Sequence, residues 1–223
     1  MTVLLLLATF AAFMLFDYAV NKGKKPAVAP VFNPKTETDP ATGEFVAGFL
    51  TPEGVWYHPG HGWLARERKN VARVGVDEFA AALAGNIDKI ELPKPGQWIR
   101  QGQRALSVMR NGEKADLVSP VEGEVIEVNP EVVKDPSLVR KDPYGRGWLM
   151  TVHVPDEEST TRNLIPKGMV RNWMREAAES VYALQPQLAG ATVADGGRPA
   201  EDLLSGLDVS WKDVTGRFFI TAE

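Results

Sequence analysis

The chain has three imidazoles, His58, His61 and His153, and no cysteine. Without cysteine there are no disulfides, thiolate nucleophiles, iron–sulfur ligands or cysteine zinc sites. The histidine count speaks against a histidine-rich metal site in the same way. His61 and Trp63 sit in the run Tyr57-His58-Pro59-Gly60-His61-Gly62-Trp63, where packing of a first strand explains them better than chemistry does. The carboxylates Asp77, Glu78, Asp88 and Glu91 fall on a helix start and a strand, positions that employ them in capping and solvation. No Ser/His/Asp set, glycine-rich phosphate loop or metal-ligand spacing stands out. The sequence therefore predicts no catalytic residue, no metal, no small-molecule substrate and no enzymatic activity.

One dipeptide is more informative. Asn111-Gly112 separates two strand-like runs, and Asn-Gly is the strongest short signal for a two-residue hairpin, because both central residues of a type I′ turn need positive φ. The nearest lysine is Lys114, two residues on. That step keeps it on the strand face of position 112 but takes it away from the tip.

The elements that must hold this hairpin are short. Turn residues are dense from Pro52 to Gly147. Between them lie Val71–Val76, Ile87–Leu92, Arg104–Arg110, Ala115–Ser119, Glu124–Asn129 and Trp148–Val154, runs of β-type composition that suggest a small sandwich or barrel. Asp77 and Gly85 bracket one interrupting helix, Asp77–Leu83. Asp156–Thr161 is polar. From Met169 to Tyr182 the apolar residues share one face of a helix; packing on its own domain is the favoured use of that face, docking on a partner or membrane the alternative. Pro186 ends this helix. Beyond it the sequence predicts a Gly/Ala-rich linker over Ala189–Pro199, a short helix over Glu201–Leu207 and a last strand over Gly216–Thr221.

At 223 residues, with 44% hydrophobic residues and a net charge of −4, the chain can build a core and carries no basic footprint for nucleic acid. Met1–Phe16 is free of charge, and the apolar character runs on to Val20 past Asp17. That length is at the short end for a membrane-spanning helix. No positive region precedes it and no small-x-small site follows, so it reads as an anchor rather than a cleaved signal peptide. Lys22, Lys24 and Lys25 follow it directly, which predicts a cytoplasmic soluble part. The division is a transmembrane anchor at 1–20, a Pro-rich tether at 21–44, a β-rich domain with a C-terminal amphipathic helix at 45–185, and a linker with a C-terminal extension at 186–223.

Residues 57–155 resemble the H protein of the glycine cleavage system. The resemblance rests on Tyr57…His61-Gly62-Trp63, on Val74-Gly75-Val76-Asp77-Glu78-Phe79-Ala80, and on the approach to Glu91-Leu92-Pro93. It continues through Ser119-Pro120-Val121-Glu122-Gly123-Glu124-Val125 and Asp135-Pro136-Ser137-Leu138-Val139, and is strongest at Asp142-Pro143-Tyr144-Gly145-Arg146-Gly147-Trp148. It implies a mainly β barrel-sandwich hybrid of the lipoyl-domain type with flanking helices. In that family a lysine at a hairpin tip carries lipoate and shuttles an aminomethyl group and electrons between partner enzymes. Counting back from Ser119-Pro120-Val121 without a gap, the lysine position falls on Gly112, in Met109-Arg110-Asn111-Gly112-Glu113 where the family has Glu-Ser-Val-Lys-Ala.

Two readings follow. In the first, the chain has no cofactor and is a membrane-anchored accessory or docking subunit of a multi-subunit membrane complex, respiratory or otherwise redox, with protein partners. In the second, a register shift rescues Lys114 as a lipoate carrier at the membrane.

Overall fold

Short apolar runs between turn residues become eleven strands among the residues that the computed structural model describes, 42–184 and 202–221. The anchor at 1–20, the tether up to residue 41 and the Gly/Ala-rich linker lie outside them. Among the described residues no helix is long and apolar enough to cross a membrane.

In chain order the elements are β1 (Gly43–Val46), β2 (Phe49–Pro52), β3 (Trp56–Tyr57), β4 (Gly62–Arg68), β5 (Val71–Val76), α1 (Glu78–Ala84), β6 (Lys89–Glu91), β7 (Trp98–Ile99), β8 (Arg104–Arg110), β9 (Glu113–Val118) and β10 (Gly123–Val128). There follow α2 (Pro130–Lys134), α3 (Leu138–Lys141), β11 (Met150–His153), α4 (Glu157–Arg162), α5 (Val170–Tyr182) and α6 (Trp211–Phe218). The strands pair antiparallel in three sheets, β1-β2, β3-β4-β5-β11-β10-β7 and β6-β8-β9. The two larger sheets share one core. Val74, Val125 and Val152 come from one, Leu106, Val108 and Leu117 from the other, and α1 joins them. Along β10 the buried Val125 lies between exposed Glu124 and Ile126, the period of two that a half-buried strand requires.

α1 forms where its bracketing residues predict. Asp77 Oδ1 accepts from the Ala80 N–H at 2.7 Å, and Gly85 closes the helix with φ +69°. Phe79 to Ala84 are all apolar and all buried, as a helix without a polar face must be. α5 packs its apolar face on its own domain, with Met174, Ala177, Ala178 and Val181 buried. Met169, in the 3₁₀ turn that leads into it, stays 60% exposed.

Three expectations are corrected. Gly216–Thr221 is not a strand: residues 211–218 form α6, because Ser210 Oγ caps the Asp213 N–H at 3.2 Å and Trp211, Val214, Thr215 and Phe218 recur at helical spacing. The described part of Glu201–Leu207 is turn rather than helix. Gly206 sits at φ +76° there, and the Asp202 side chain turns back onto the Leu204 N–H. The tether ends sooner than residue 44, since Gly43 and Glu44 already pair with Pro52 and Thr51. The polar run at 156–161 is the capped helix α4, with Asp156 accepting from Ser159 N–H.

Candidate functional site

The β8–β9 hairpin is built as its sequence dictates. Arg110 pairs with Glu113, so Asn111 and Gly112 are the two loop residues. Their φ values of +51° and +82° are those of a type I′ turn. A Cβ placed on Gly112 would meet nothing within 4 Å. The apex is therefore open, and it carries no side chain at the second loop position. Asp88 holds it from below, its Oδ2 accepting from the Asn111 N–H at 2.6 Å.

Lys114 lies on the strand, opposite Met109. Its Nζ donates to Glu91 Oε2 at 3.2 Å and lies 3.9 Å from Asp116 Oδ1. Glu91 also accepts from Lys89 Nζ at 2.9 Å. The Lys89 hydrogen bond, followed by that of Lys114, holds the Glu91 carboxyl below the usual range. These four charges form a solvated network across the face of β6, β8 and β9. The Lys114 side chain is half exposed, at 51%. It borders a polar groove of about 590 Å³ lined also by Arg104, Asp116, Lys212, Asp213 and Thr221. The amine is thus tied back along the sheet, on the flank of the hairpin rather than at its tip.

Three of the four carboxylates cap or are solvated, and Glu78 instead makes a bond to a distant strand. Asp77 caps α1, Asp88 caps the hairpin apex, Glu78 accepts from the Leu50 N–H, and Glu91 is solvated. Asp77 Oδ2 also accepts from His61 Nδ1 at 2.8 Å, and both residues are buried. The His61 ring stacks on Trp173 at 4.5 Å and meets Phe79, tilted, at 4.4 Å. This pair joins α1, the loop before β4 and α5, and serves packing. Trp63 is buried with it, donating through Nε1 to the Val76 carbonyl at 2.9 Å. Its ring lies on Gly75, where a Cβ would come within 2.4 Å of Cζ2. Behind it, Tyr144 donates to the Leu50 carbonyl at 2.9 Å and Tyr57 to that of Pro52 at 3.3 Å. Burial pushes both phenols well above their ordinary range. Among the described residues no group of three or more His, Asp or Glu side chains is placed to hold a metal ion.

Sequence reading missed the most connected residue at the hairpin. Arg110 reaches out from the last position of β8 and grips Asp202, Nη1 to Oδ1 at 3.1 Å and Nη2 to Oδ2 at 2.6 Å. Nη1 also donates to the Ala84 carbonyl at 3.3 Å. No local pattern announces a partner so distant in the chain.

Against known proteins, residues 55–177 match the family described as glycine cleavage H-protein. A glycine cleavage system H protein of Mycobacterium leprae is 37% identical over 105 residues, 47% of this chain and 80% of that protein. One from Streptomyces coelicolor is 38% identical over 106 residues, 48% of this chain and 85% of that protein. A crystal structure of a glycine cleavage system H protein from Mycobacterium marinum is 30% identical, covering 47% of this chain and 87% of that one at a TM-score of 0.44.

Proposed function

We propose that this chain, which belongs to the glycine cleavage H-protein family, is a non-catalytic docking subunit anchored in a membrane. On this reading it keeps the carrier's scaffold without the carrier's arm. The observation that carries it is the apex. A swinging arm needs an acylable side chain at the exposed tip, where a ligase and every partner reach the same atom. Here the tip is Asn111-Gly112 in a type I′ turn, and glycine has nothing to acylate. The next lysine, Lys114, is on the strand and paired with Glu91.

The rest of the reading comes from sequence. The apolar segment at 1–20, interrupted only by Asp17, would supply the anchor, and Lys22, Lys24 and Lys25 after it support a cytoplasmic domain. An anchored, armless domain suits a stoichiometric accessory role in a multi-subunit membrane complex, with a respiratory or other redox complex as the candidate host.

The mass of the protein purified from its native host tests this. The unmodified polypeptide mass is expected, with Lys114 free in a peptide map. A lipoylated Lys114 in a substantial fraction of molecules overturns the proposal and favours the second reading, a lipoate carrier working through Lys114. The half-exposed position of that lysine, two residues from the apex, is what keeps the second reading in play.

A further inference from the structure

We propose that residues 202–221 are a resident ligand of the face made by α1 and the Arg110 side of the β8–β9 hairpin, a strap bound in cis that closes this face to any other segment. The proposal extends the armless reading above by saying what covers the hairpin's flank.

The strap is fastened at both strands of the hairpin. At its start Asp202 makes the two-pronged ion pair with Arg110, one residue before the apex; the two side chains are only 17% and 15% exposed. At its end Thr221 Oγ1 donates to the Asp116 carbonyl on β9 at 3.3 Å. Between these points it lies along α1. The Leu203 N–H donates to the Ala82 carbonyl at 3.1 Å, and Trp211 Nε1 donates to that of Ala84 at 3.2 Å. Leu203, Leu204, Trp211, Phe218 and Phe219 are all buried, so the strap is apolar on its underside and polar at its two ends.

The end of α1 leaves room for the clamp. Gly85 sits at φ +69° under the clamp, where a Cβ would come within 2.5 Å of Arg110 Nη1 and 2.8 Å of Asp202 Cγ. A side chain there would push the ends of both clamp residues aside. The ligand chemistry follows: a segment that opens on a carboxylate for Arg110, continues with two leucines, and lays the aromatic face of a short helix over α1. In this chain residues 202–221 supply all three, and they lie beyond the span 55–177 that matches the family. Fastened at Arg110 and at the Asp116 carbonyl, the hairpin is held against the domain on its Arg110 side, while its Lys114 side stays half exposed.

The test uses the full chain in detergent, with a site for a sequence-specific protease placed within residues 186–200 and cut after folding. The 201–223 fragment is expected to co-elute with the remainder, and a labelled synthetic peptide of the same residues to exchange into its place. The Asp202→Asn peptide should compete at least ten-fold less well. Three results would overturn the proposal: loss of the fragment from a core that keeps its near-ultraviolet circular dichroism, peptide uptake only after that signal has melted, or a concentration-dependent dimer of the uncut chain. The Lys114 mass reads the armless proposal separately. A lipoylated Lys114 with a retained fragment sinks that reading and leaves the strap, and the opposite pattern does the reverse.

Discussion

Substitution at Gly112 isolates one physical term. A Cβ at this position meets nothing within 4 Å, so added bulk clashes with no neighbour and the whole penalty comes from holding a side chain at φ +82°. For L-residues the left-handed region costs about 1–2 kcal/mol, and Asn tolerates it best. A β-branched residue is worse, and strained positions of this kind cost about 1–3 kcal/mol. The stability order should therefore be Gly, then Asn, then Ala, then Val. In urea unfolding of a chain that starts at residue 26, the midpoint should fall in that order with the slope unchanged, since the unfolded surface is the same. By heat, Gly112→Val should lower Tm by about 2–4 °C for each kcal/mol in a domain of this size. A neutral Gly112→Val would refute the reasoning. It would mean that the turn is not type I′, that the strands pair in another register, and that Lys114 is not where the armless reading needs it.

Gly75→Ala should be more damaging, for the opposite reason. The new methyl lands 2.4 Å from the Trp63 ring, which its hydrogen bond to Val76 holds in place, so a loss of about 3 kcal/mol, the upper part of the overpacking range, is expected in the same urea assay. His58 gives a pH dependence: burial, and then the nearby His61, lowers its pKa below the ordinary histidine value. The unfolded chain thus binds the proton more readily, so stability is full above about pH 6.5 and declines as the pH falls towards the lowered folded value; Tm measured from pH 7.5 to 5 should fall, and His58→Gln should flatten the part of the curve just below 6.5. For topology, a reporter fused after Glu223 should be active only as a cytoplasmic reporter, and activity of an external reporter there would reverse the orientation.

What was legible in the sequence was local. Asn111-Gly112 announced its turn because type I′ geometry leaves few residues able to occupy it. Asp77 and Gly85 bracketed α1, and the 3.6-residue recurrence from Met169 marked α5, because each signal lies within a few residues of the structure it dictates. The β1–β2 hairpin escaped notice since its turn uses Ala47 at φ +50° before Gly48, and alanine is not a residue that advertises a left-handed turn. Phe218-Phe219-Ile220 suggested a strand by composition, but the Ser210 cap and the burial of Trp211 and Phe218 against the domain made the segment helical. Tertiary packing overrode a weak β preference. The Arg110–Asp202 clamp joins residues 92 positions apart, and no periodicity reaches that far.

Arg110 links the two departures at the hairpin. A carrier arm would need the hairpin tip clear. On the armless reading proposed above, nothing swings at the Gly112 apex, and the flank is free to bury surface. A guanidinium one residue from the tip then gains by leaving water only if it is met by acceptors in good geometry, because an unpaired charge at such a site is strongly destabilising. The structure meets it three times, with both oxygens of Asp202 and the Ala84 carbonyl. On the reading proposed above, the missing lysine and the docked C-terminal segment go together: the apex presents no reactive group, and the Arg110 flank beside it is covered.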